Sequence, residues 1–101
     1  MKHTLKTKHT QFARISAVTQ IISLCLDIHN AGLATVFIDV SGHIGELSVG
    51  FHIGGWVAHG RPDQKIRIYI GGERYDPTQA AALIVTLNKV LTDRVFPESF
   101  Q

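Results

Sequence analysis

From Ala34 to Ile53 the chain alternates apolar and polar residues almost without a break. Side chains on a strand point to opposite faces with period two, so this stretch predicts a sheet with one dry and one wet face. The predicted strands cover about residues 33 to 40 and 45 to 58. A two-residue turn at Gly42-His43, glycine leading, sets Asp39 opposite Glu46 and Ile38 opposite Leu47. Val36, Ile38, Val40, Leu47, Val49, Phe51 and Ile53 then share the inner face. Thr35, Phe37, Asp39, Glu46, Ser48, Gly50 and His52 take the outer one. Gly54, Gly55 and the segment His59 to Asp63 predict a bulge and a loop. A third strand over residues 65 to 70 turns Ile66, Ile68 and Ile70 inward, and Lys65, Arg67 and Tyr69 outward.

Outside the sheet the apolar spacing changes to three and four residues, the period of a helix. Residues 12 to 31 carry two neighbouring apolar rows. One holds Ile15, Val18, Ile22, Cys25, Leu26 and His29, and the other Ala17, Ile21, Leu24 and Ile28. Gly32 provides the stop. The apolar arc is wider than one sheet face needs, so either the second helix or another chain covers the excess. With the open sheet edges, it leads us to expect a homodimer.

Asp76-Pro77-Thr78-Gln79 starts a second helix, with Asp76 as N-cap and proline at the first helical position. Ala80, Leu83, Ile84, Leu87, Val90 and Leu91 form its apolar face, and the helix ends near Arg94 before Pro97. The predicted fold is α+β, in the order α-β-β-β-α: a three-stranded antiparallel meander with two helices packed on one face.

Length and composition narrow the class. The chain of 101 residues is 45% apolar and 18% charged, which suits one globular domain. Its net charge of +2 is unevenly spread, because Lys2, Lys6, Lys8 and Arg14 all precede the first acidic residue, Asp27. Residues 1 to 11 are expected to form a flexible basic tail. That tail has no apolar segment typical of a secretory signal. The run from Ile21 to Leu26 is too short to span a bilayer, and Cys25 has no disulfide partner within the chain. A cytoplasmic location is expected, in the host cell if the chain is phage-encoded.

Candidate chemistry is sparse. Asp39 and Glu46, with His43 at the turn, are the residue types of acid–base or oxygen-ligand metal sites, yet an open strand face gives them no cleft. The six histidines lack the spacing of zinc motifs, and His29 suits the end of a helix, assisting its last carbonyls. Cys25, mid-helix among apolar residues, reads as core. The glycine pairs at 54-55 and 71-72 lack a following G-K-[ST], so turns explain them. No enzymatic activity, metal or cofactor is expected.

A binding surface is the richer reading. Phe37, His52, Arg67, Tyr69 and Lys65 are predicted to share the outer face, with Trp56, His59 and Arg61 along its edge. Aromatic residues and arginine dominate binding hot spots, and Lys2, Lys6, Lys8 and Arg14 add electrostatic attraction. The expected partner is a host protein or protein complex. Nucleic acid is the alternative, with bases stacked on the aromatic face and phosphates drawn to the basic tail.

The α-β-β-β-α order resembles that of double-stranded-RNA-binding domains. Where those domains open the second helix with a lysine cluster, this chain has Pro77-Thr78-Gln79-Ala80-Ala81 and no cation until Lys89. Ser41-Gly42-His43-Ile44, Leu47-Ser48-Val49, Gly55-Trp56 and Ile68-Tyr69-Ile70 together resemble a hairpin pattern of small orphan phage and prophage proteins. That resemblance implies an accessory protein that binds, and modulates or inhibits, a host complex such as a component of host defence.

Overall fold

The computed structural model describes residues 2–54 and 60–100, with side chains from Gln11 onward. Helix α1 (Lys2–Asn30) leads into strands β1 (Thr35–Ser41), β2 (Glu46–His52) and β3 (Gln64–Tyr69). A short 3-10 turn (Gly72–Arg74) then precedes helix α2 (Pro77–Asp93). The strands form one antiparallel sheet in the order β1-β2-β3, so the α-β-β-β-α meander expected from the sequence is the fold.

The hairpin register differs from the expected one. Ser41 pairs with Glu46, Val40 with Leu47 and Ile38 with Val49, so Asp39 faces Ser48 rather than Glu46. The reason lies in the loop, which has four residues and not two. Ile44 donates its N–H to the Ser41 carbonyl (3.2 Å), and Gly45 closes the loop at φ 64°, a region other residues resist. The slip is two residues, so every side chain keeps its face. β2 also stops at His52, well short of residue 58.

Helix α1 begins at Lys2 rather than near residue 12, and the basic segment expected as a tail continues the same helix. Its far end closes as a Schellman motif. Leu33 N–H reaches the Ile28 carbonyl and Gly32 N–H that of His29, with Gly32 at φ 75°. His29 does not assist the helix carbonyls. Its Nδ1 accepts the Val36 N–H at 3.1 Å and so ties the helix end to the edge strand β1. Helix α2 is capped as its sequence predicts: Asp76 Oδ1 accepts from Thr78 N–H at 2.9 Å and from Gln79 N–H at 3.4 Å. Arg94, at φ 58°, ends it and donates its N–H to the Val90 carbonyl.

The core lies between the inner sheet face and the two helices. Ile21, Leu24, Cys25 and Ile28 of α1 meet Ala80, Leu83, Leu87 and Val90 of α2 over Leu47, Val49, Phe51, Ile66 and Ile68. Of the two apolar rows predicted on α1, the second is therefore the buried one, joined by Cys25. Ile15 and Leu26 of the first row are exposed. Val40 and Ile53, at the two ends of the inner face, lie beyond the helical cover and are exposed as well.

The chain after α2 completes the lid. Phe96 and Phe100 come back over Phe51, with ring centroids 5.5 and 5.2 Å from it. Gln64 Nε2 holds this segment by donating to the Pro97 carbonyl (2.9 Å) and the Glu98 carbonyl (2.6 Å).

Gln11–Asn30 of α1, with a mean hydropathy of 1.2, is long and apolar enough to cross a bilayer by length and composition. The run Ile21–Leu26 alone understates it. Within this stretch Ile21, Cys25 and Ile28 are fully buried in the domain's own core.

Candidate functional site

Alternation along three paired strands places the outer-face residues in rows. Phe37, Gly50 and Lys65 form one, Asp39, Ser48 and Arg67 the next, and Ser41, Glu46 and Tyr69 the last. The helices pack on the inner face, which leaves this side free of secondary structure among the described residues.

One end of the face is built around Phe37. Its ring stands edge-on to His52, with centroids 5.3 Å apart and planes at 80°. His52 is only 7% exposed, so it supports the patch and Phe37 presents it. The chain returning to β3 lies across the same end. A Cβ on Gly50 would stand 3.2 Å from Pro62 Cβ, so the missing side chain is what lets the loop pack down. Asp63 fixes that loop: its Oδ2 accepts Ile53 N–H at 2.7 Å, and its own N–H reaches the Phe51 carbonyl. Arg61, directly before Pro62, is exposed.

At the other end the charges are paired within the chain. Arg67 Nε lies 3.1 Å from Glu46 Oε1, with the arginine side chain 61% exposed and the carboxylate 12%. Arg74, delivered by the 3-10 turn, stands over the Tyr69 ring at 5.0 Å. Asp39 and Glu46 therefore form no facing carboxylate pair, and Glu46 serves to hold Arg67. Among the described residues no three of His, Cys, Asp or Glu come together as metal ligands.

The structure thus gathers Phe37, His52, Arg67 and Tyr69 on one face, with Lys65 in the same row as Phe37, while Arg61 is exposed in the segment leading into β3. Trp56 and His59 lie outside the described residues. Lys2, Lys6, Lys8 and Arg14 belong to α1, the layer packed on the opposite side of the sheet. Sequence reasoning missed Arg74 and Pro62. Arg74 reaches Tyr69 only through the turn at Gly72–Arg74, which no apolar period announces. Pro62 had a signal in Gly50, a glycine inside a strand, which marks close approach.

Cys25 has no place in this surface. Burial alone pushes its thiol up to about 12 from the ordinary 9.0, because the thiolate would lie in an apolar core. Keeping the thiol protonated stabilises the fold fully below pH 9. That contribution is lost as pH rises from 9 towards 12, because only the unfolded chain then ionises. The expected slope from this group is about 1.4 kcal/mol per pH unit. Urea titrations between pH 8 and 11 should show it as an excess alkaline loss in the wild type over Cys25→Ala. Equal slopes would remove the effect.

Compared with known proteins, the chain matches no family model, no curated protein and no solved structure.

Proposed function

We propose that the chain is a small non-enzymatic interaction protein whose outer sheet face binds a host protein. The observation that carries this reading is the face itself. Phe37 and Tyr69 are exposed at its two ends, Arg67 lies in the row between them with Lys65 level with Phe37, and no helix among the described residues covers it. Residues of these types in a rigid, pre-ordered array are what protein hot spots use, since little side-chain freedom is lost on docking. Arg67 is held by Glu46 and Tyr69 by Arg74, which adds that order.

The same pairing favours a protein over a nucleic acid. Arg74 occupies one side of the Tyr69 ring, the surface a base would stack on, and the Glu46 carboxylate sits beside Arg67 where a phosphate would approach. The cationic end of α1 lies on another layer, so one strand of nucleic acid would not meet both by lying flat on the sheet. The hairpin resemblance to phage and prophage proteins supports the further reading of an accessory protein of a mobile element that modulates or inhibits a host complex.

The test is capture of a partner from host lysate, with and without nuclease, by the wild type and by Phe37→Ala/Arg67→Glu. Both sites are exposed, so the fold should survive, as circular dichroism would check. A hot-spot loss of about 2 kcal/mol, roughly 30-fold in affinity, is expected for the partner that the wild type retains after nuclease. Undiminished capture by the variant, or capture abolished by nuclease, would overturn the assignment.

A further inference from the structure

The exposed side of α1 carries a pattern that the fold does not use. Phe12, Ile15, Thr19, Ile22 and Leu26 follow one another at three- and four-residue steps, the seam of a coiled coil. They occupy an arc of roughly 80° on the helix, centred about 130° from Ile21, Cys25 and Ile28, which face the core. Phe12 is 74% exposed, Ile15 61% and Leu26 48%, and only Ile22 is partly drawn into the domain. Phe12, Ile15 and Thr19 also border a shallow groove on α1 with Ser16, Gln20, Ser23 and Leu24. A helix that served one core alone would be polar here.

Two properties of the helix say what covers the seam. The first is charge. Lys2, Lys6, Lys8 and Arg14 lie in its first half, while Asp27 is the one acidic residue of its second half, which has no lysine or arginine. Lys2, in the first turn, also stands at the unfavourable end of the helix dipole. The second is shape. If two copies of the seam run antiparallel about a two-fold axis at residue 17, Phe12 of one meets Ile22 of the other, and Ile15 meets Thr19. These two layers each join a larger and a smaller side chain, as interdigitating seams require, and Leu26 falls opposite position 8 at the end of the seam.

We propose that α1 pairs antiparallel with α1 of a second copy of this chain through Phe12, Ile15, Thr19, Ile22 and Leu26. Antiparallel pairing sets the basic half of each helix alongside the half of the other that holds Asp27 and the negative dipole end, and keeps the two basic halves apart. Parallel pairing would set the cations of both copies side by side and oppose Phe12 to Phe12. The interface is isologous and closes at two chains. It leaves the outer sheet face untouched, so the dimer presents two copies of that face to a partner.

Light scattering on the full chain tests the pairing. The expected mass is twice the 11.1 kDa of one chain, and Ile15→Glu should weaken dimerisation by at least tenfold, about 1.4 kcal/mol, at unchanged helicity. Orientation is read by disulfide formation, in which buried Cys25 takes no part. A mixture of Ile15→Cys and Thr19→Cys chains should cross-link to each other, while Phe12→Cys alone should not. A monomeric wild type at every concentration, or a dimer undisturbed by Ile15→Glu, would overturn the proposal. Ready self-linking of Phe12→Cys would overturn the antiparallel arrangement. Partner capture by the sheet face is read separately, so either proposal can fail without the other.

Discussion

Phe51→Ala is expected to destabilise the domain by about 3–5 kcal/mol, a large part of the roughly 5–15 kcal/mol available to a protein of this size. Phe51 is fully buried on the central strand, between Val36 of β1 and Gln64 of β3. It is also the ring on which Phe96 and Phe100 close, the second of them stacked at 25°. Truncation removes its transfer free energy and leaves a cavity that two strands and two helices cannot fill without moving. Urea denaturation should show the midpoint falling sharply while the slope holds. A loss under about 1 kcal/mol would mean that the aromatic cluster is not the keystone of the core.

Removing residues 95–101 is expected to cost about 2–4 kcal/mol, more than a segment without regular structure usually carries. Phe96 and Phe100 would leave the edge of the core, and Gln64 would lose both carbonyl acceptors. Since these rings act through Phe51, the two changes should not add. In the Phe51→Ala background the same truncation should cost clearly less than in the wild type. A full additive loss would show that the terminal segment is held by contacts other than Phe51. An unaltered midpoint after truncation would remove its structural role altogether.

Much of the fold was legible in the chain because its signals are local. Period-two alternation from Ala34 to Ile53 names the faces, and face identity survived a two-residue error in register. The turn was misjudged because both Gly42 and Gly45 flank it, and a sequence does not say which adopts positive φ. Asp76-Pro77 marked the start of α2 because capping is a matter of three adjacent residues. The surface was partly legible for the same reason: Phe37, Arg67 and Tyr69 are outward by parity alone. Their partners were not. Glu46 holds Arg67 diagonally across two strands, and Arg74 reaches Tyr69 from a turn, so both depend on the path of the chain.

By itself, then, the sequence determined the element order, the unlike faces of the sheet and the capped second helix, all consequences of dihedral preference and spacing within a few residues. Tertiary structure decided the rest. It chose which of the two apolar rows on α1 would be buried, because only one can face the sheet and α2 at once. It brought Phe96 and Phe100 back to Phe51, a contact across more than forty residues that no local pattern encodes. By burying Ile21, Cys25 and Ile28 it also left Phe12, Ile15 and Leu26 on the outside of the helix.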